Sequence, residues 1–244
     1  MAAAFRRDVR CYYHPLAMRI LALDTTARRG SVALVADGRV EAALASDGAS
    51  PPATRLPADL ADVLARAGVT LDAVDGFAVA AGPGSFTGLR IGISTMQGLA
   101  VATGRPLVGV SALDALAAIA AAAGPDDERD IMAWIDAWRG EVYGARYAAD
   151  ATPLGEAIVG PPGAHLAAGR PGRLIGSGAA AHPEAVAAFG EAVCLVEPLE
   201  PALAATLARL AAGSLAAGER PAPHAIRPIY VRRPDAELAR DARG

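Results

Sequence analysis

The stretch AAGPGSFTGLRIG, residues 80–92, sets glycines at 82, 84, 88 and 92 between an apolar run and the start of a helix. Glycine-rich turns in that position cradle phosphate, because bare backbone N–H groups at a helix N-terminus face the anion. Two phosphate patterns fail here. The P-loop pattern Gly-x-x-x-x-Gly-Lys-Ser/Thr needs a lysine, whereas Gly82 and Gly88 stand six apart and Leu89-Arg90 follows. The dinucleotide pattern Gly-x-Gly-x-x-Gly misses as well, since three residues separate Gly84 from Gly88. A structural use fits the spacing better. Gly82-Pro83-Gly84 makes a tight strand-to-helix turn, and Ser85 or Thr87 caps the helix that follows. Gly88 and Gly92 share one helix face, with Ser94 and Gly98 as a second small pair beside them. Glycine inside a helix costs about 1 kcal/mol relative to alanine. A close approach must compensate, either from this chain's own sheet or from a foreign helix.

Other reactive residues are sparse. Asp24 and Asp136 each end an apolar run, where an aspartate either holds a metal-bound water or closes a turn. The histidines at 14, 165, 182 and 224 stand apart from one another, and Cys11 and Cys194 have no metal spacing. Zinc, a disulfide framework and a cysteine nucleophile therefore have no support, and no Ser/His/Asp logic is visible. All 23 basic residues are arginine, which excludes a lysine nucleophile or Schiff base. With 26 acidic residues the formal net charge is −3, unlike a protein that coats nucleic acid by itself. Residues 1–17 lack the apolar centre of a signal peptide and read as a disordered extension preceding Met18. The expected location is the cytoplasm.

The elements that must position these residues occur twice. RILALDTTARRGSVALV (19–35) and IMAWIDAWRGEVYGARY (131–147) are each a strand ending in Asp, a turn with Arg-Gly, and a second strand. Asp24 answers Asp136, and Arg29-Gly30 answers Arg139-Gly140. In the first half a third strand over 39–46 follows the Asp37-Gly38 hairpin signal. Then come a helix over 57–68, a strand over 76–82, a helix over 87–103, a strand over 107–110, and a helix over 111–123 capped by Ser111. The second half repeats the order, with a strand over 154–159, helix 161–168, strand 173–178, helix 181–190, strand 193–196 and helix 201–217. The polar segment 122–130 divides them. The reading is α/β, two βββαβαβα units with mixed sheets, antiparallel where short turns join strands and parallel where helices do. The units span 18–123 and 124–220, and a tail covers 221–244.

This plan resembles the actin-like ATPase superfamily, with its duplicated ribonuclease H-like fold. Within it the chain is similar to the TsaB (YeaZ) family of tRNA threonylcarbamoyladenosine biosynthesis. ILALDTTARRGSVAL (20–34), GPGSFTGLRIGISTMQGLA (82–100), IDAWRGEVYGARY (135–147) and RPIYVRR (227–233) carry the resemblance. One departure is GASPPATRLP (48–57), where such proteins often have a His-Thr segment. Actin-like kinases bind phosphate through Asp-x-Gly-Thr turns. Here the turns read Asp24-Thr25-Thr26 and Asp136-Ala137-Trp138, without the glycine.

The resemblance implies a non-catalytic subunit that binds a TsaD-like transferase through the helices of its first half. It also implies a TsaE-like ATPase as a further member, tRNA reached through the complex, homodimers through the same surface when alone, and no membrane partner. Any ATP or ADP belongs at the interface with partners rather than in this chain alone. On this reading the partner surface takes Leu60, Leu64, Gly84, Thr87, Gly88, Arg90, Ile91, Gly92, Ser94 and Gln97, and a bulky Gly92 variant blocks binding without unfolding the chain. Arg90 also reads as a solvated charge. In the tail, Arg227, Arg232 and Arg233 around Tyr230 either touch tRNA or face water while Tyr230 packs on the body. The alternatives are an actin-like small-molecule kinase or ATPase, and a standalone homodimeric scaffold.

Overall fold

The computed structural model describes residues 18–46, 48, 51–124, 127–167 and 172–231. Residues 1–17, Arg232 and Arg233 lie outside that set. Strands β1 (Arg19–Asp24) and β2 (Ser31–Ala36) pair antiparallel, with Asp24 opposite Ser31. The Asp37-Gly38 turn joins β2 to β3 (Arg39–Ala45) with φ of 48° and 75°. Those are the left-handed values a two-residue hairpin demands, and the residues that best accept them are there. Helix α1 (Pro52–Arg66) buries Leu56, Leu60 and Val63. It starts five residues before the predicted position. Pro52, not Pro57, takes the first helical turn, where a missing N–H does no harm.

β4 (Gly76–Gly82) leads through the glycine loop into α2 (Phe86–Thr103), capped by Ser85, whose hydroxyl accepts from the Gly88 amide. β5 (Leu107–Ser111) and α3 (Ala112–Ala123) complete the first unit, and Ser111 caps the Asp114 amide as expected.

The second unit is β6 (Ile131–Asp136), β7 (Val142–Tyr147), β8 (Ile158–Gly160), α4 (Pro162–Ala167), β9 (Arg173–Ile175), α5 (Ser177–Ala181), α6 (Pro183–Ala187), β10 (Cys194–Leu195) and α7 (Ala204–Ala216). The single helix expected over 181–190 is instead two short ones. Pro183 bars the residue before it from helical backbone, and His182 sits at φ −127°, ψ 58°. The strand expected at 154–159 moves to 158–160, because Pro153 and Leu154 instead fold back on Tyr147 and Arg146.

Strand order is β3-β2-β1-β4-β5 in one sheet and β10-β9-β6-β7-β8 in the other, the same order by position in the unit. α1 and α2 cover the outer face of the first sheet around Leu21, Phe77 and Met96. Trp134, Leu174 and Phe189 pack on the outer face of the second. Between the sheets lie α3 and α7, and they are exchanged: α7, last element of the second unit, lies across β1, β2 and β4, while α3 reaches over to β6 and β9. One continuous core therefore joins both units. Arg173, 2% exposed, fixes α3 at its end. Its guanidinium donates to the carbonyls of Ala120 and Gly124, acceptors that the C-terminus of α3 leaves open, and to those of Arg129 and Ala149 in the neighbouring loops.

Candidate functional site

The glycine loop is filled by a turn of this same chain. After β1 the chain turns through Thr25 and Thr26, both buried. A Cβ on Gly84 would stand 2.6 Å from the Thr26 carbonyl oxygen, one on Gly88 2.1 Å from the Thr25 carbonyl oxygen, and one on Gly92 2.2 Å from Thr25 Oγ1. The fit is also bonded: the Ser85 amide donates to the Thr26 carbonyl at 2.7 Å, and Thr25 Oγ1 donates to the Gly88 carbonyl at 2.8 Å. This corrects the expectation for Gly84, Gly88 and Gly92. The close approach they permit is taken by the threonine turn, not by a foreign helix, and a bulky residue at Gly92 would break the fold rather than the partner contact.

Asp24 sits at the centre of the same turn. Its Oδ1 accepts from the Thr26 amide at 2.8 Å and the Thr26 hydroxyl at 2.6 Å. Burial pushes its carboxyl up, while the Thr26 bonds and the Arg55 guanidinium pull the other way. Arg55 is held by Asp59 one helical turn on, with Nε and Nη2 buried and unpartnered among the described residues. Asp24 opens into the cleft between the units, with Thr26, Arg29, Ser177 and Glu200 among its walls, and the cleft encloses about 50 Å³. Nucleotide-sized pockets run to roughly 300–1,000 Å³. With Thr25 and Thr26 packed where a phosphate needs bare backbone, this turn offers no phosphate cradle.

Asp136 is the counterpart in the second unit. It caps its own turn, accepting from the Trp138 amide at 2.9 Å, and His182 Nε2 stands 3.9 Å away. Both strand-end aspartates thus serve turns. Trp138 and Arg139 take left-handed backbone at φ 56° and 57°, and Trp138 is exposed.

The other residues expected at a partner surface divide sharply. Leu60 is buried on the inner face of α1, and Leu64 and Ile91 are half-buried at the edge of the same core. Gln97 holds this chain's own tail, its Nε2 donating to the carbonyls of Pro223 and Ile226. Thr87, Arg90 and Ser94 are exposed on the outer side of α2. In the tail, Ile226 is the residue that packs inward, Tyr230 stays half-exposed against Phe86, and Arg227 faces solvent. Sequence reading missed Phe86, although its place four residues before Arg90 on a helix is the signal for a contact. Among the described residues there is no cluster of metal-ligating side chains and no helix long and apolar enough to cross a membrane.

Two βββαβαβα units that exchange their last helices and meet at a cleft lined by the strand-end Asp24 define a protein of the actin-like α/β class. The family model described as TsaD, tRNA N6-adenosine threonylcarbamoyltransferase, matches residues 53–180. The Escherichia coli K12 tRNA threonylcarbamoyladenosine biosynthesis protein TsaB is 41% identical over 54% of this chain and 56% of its own. The chain thus spans little more than half the length of that relative. An uncharacterised Mycobacterium tuberculosis H37Rv protein is 34% identical over 76% of this chain and 77% of its own. The solved structure of YeaZ from Pseudomonas aeruginosa superposes with a TM-score of 0.72 at 33% identity, covering 87% of this chain and 99% of that one. This chain belongs to the TsaB (YeaZ) family.

Proposed function

We propose that this chain acts in tRNA N6-threonylcarbamoyladenosine synthesis as a non-catalytic subunit that binds and activates a TsaD-like threonylcarbamoyltransferase. The observation that carries the reading is the filled site. The glycine turn where this class of fold would take a phosphate is filled by Thr25 and Thr26, and the cleft beside Asp24 encloses about 50 Å³. The E. coli relative's name supplies the pathway, and the exposed side of α2 offers a surface.

In this role the chain contributes no reacting group. It binds the active arrangement of the transferase more tightly than the inactive one and shifts the population toward it. A TsaE-like ATPase is the further member, tRNA is reached through the complex, ATP or ADP sits with the partners, and the chain self-associates when alone. The test is a reconstituted modification assay on unmodified tRNA, with this chain and the TsaD-like transferase added singly and together. Turnover requires both. Turnover by this chain alone, or full transferase activity without it, defeats the proposal, and so does saturable Mg-ATP binding to this chain by calorimetry.

A further inference from the structure

Beyond Arg220 the chain runs back along α2, antiparallel to it, as a strap. Gln97 Nε2 holds it through the carbonyls of Pro223 at 2.8 Å and Ile226 at 3.2 Å. Ile226 lies over Gly109, where a Cβ would stand 2.9 Å from Ile226 Cγ2. The Ile229 amide donates to the Ala81 carbonyl at 2.6 Å. At the end of the strap Tyr230 meets the first turn of α2, its ring 5.6 Å from that of Phe86. The Arg90 guanidinium lies 4.0 Å from the Phe86 ring centre, and Nε approaches Tyr230 Oη at 3.3 Å. Phe86 is 44% exposed, Tyr230 41% and Ile229 40%.

We infer that the strap and the first turns of α2 together form a preformed anchor for an acidic side chain, presented among apolar residues by the TsaD-like transferase. This rests on the function proposed above. The arginine is held before any partner arrives, one nitrogen toward Tyr230 and its plane over Phe86. Among the described residues its two terminal nitrogens take no hydrogen bond, which leaves a planar fork that matches a carboxylate with two parallel bonds. Holding the fork in advance lowers the entropy that docking would otherwise lose.

Charge selects the partner's sign. α2 carries no Asp or Glu in its 18 residues, and Arg105, Arg220 and Arg227 stand exposed along the strap on a chain whose net charge is −3. A protein fits better than RNA, because Arg90 and Tyr230 already flank the Phe86 ring that a nucleobase would stack on. Arginine beside half-exposed aromatic rings is the composition of protein-interface anchors.

The test is titration calorimetry of the full chain against the TsaD-like transferase of the same organism. Arg90→Lys keeps the charge and loses the fork, while Tyr230→Phe keeps the ring and loses the hydroxyl. Both positions are exposed, so thermal stability should hold within error for both. The dissociation constant should rise about tenfold or more for Arg90→Lys and about threefold for Tyr230→Phe. If the unaltered chain binds the transferase and both variants bind within twofold of it, the anchor is refuted and the proposed function stands. If the unaltered chain does not bind, the proposed function fails and the anchor with it. Binding of the chain alone to unmodified tRNA that Arg90→Ala weakens would make the occupant a nucleic acid and would overturn the inference.

Discussion

Gly88, Gly92 and Gly98 sit on the same helix and have the same intrinsic cost, yet their surroundings differ completely. A methyl group at Gly88 or Gly92 would collide with Thr25, one of the contacts being to backbone, whereas nothing lies within 4 Å of a Cβ at Gly98. Gly88→Ala and Gly92→Ala should each destabilise the chain by about 2 kcal/mol or more, as overpacked cores do. Gly98→Ala should stabilise it by up to about 1 kcal/mol, the helix propensity difference. Urea unfolding midpoints of the three variants check this, and equal effects at all three sites would refute the assignment of Thr25 as the neighbour. The spacing of these glycines announces that something comes close to α2. It does not name the visitor, because the threonine turn is sixty residues earlier in the chain and its fit arises only when β1 and β4 pair. For the same reason Gln97 reads as a surface polar residue until the tail is seen to end on it.

At the scale of elements, periodicity and turn chemistry carried most of the fold. The Asp37-Gly38 hairpin, the Ser85 and Ser111 caps and the repeated strand order were legible because each rests on a few adjacent residues. The second unit was read less well. β8, β9 and β10 have three, three and two residues, too short for a clear pattern. What seats α4 there is one buried side chain. The His165 ring packs on Trp134 at 5.6 Å and lies against Gly144, where a Cβ would be 2.5 Å from its Nδ1. Burial pulls its pKa below the ordinary 6.5, with a bond to the Val142 backbone opposing. The folded chain therefore prefers neutral His165, and below pH 6.5 the unfolded chain binds a proton that the folded one resists. Stability from this group is complete above that pH and is lost as pH falls beneath it. Comparing urea midpoints at pH 7.5 and 5.5 should show a larger drop for the unaltered chain than for His165→Leu. Equal drops would show that the ring titrates as freely folded as unfolded.

For the whole molecule, the exchange of α3 and α7 decides what can fold alone. The sequence repeat divides the chain near 122–130, but the inner face of β1, β2 and β4 is covered by α7, contributed from the far end. Residues 18–123 produced alone should be molten, with weak near-ultraviolet circular dichroism and a broad thermal transition, and mixing with residues 124–231 should restore a sharp one. A cooperative transition in the isolated first half would contradict the shared core. A ribosome builds this chain in order, so the inner side of the first sheet leaves the exit tunnel long before Ala204–Ala216 is made to shield it. Everything up to α7 must be translated before the first half can close, and in that interval nascent β1, β2 and β4 present a bare apolar wall that chaperones would have to guard.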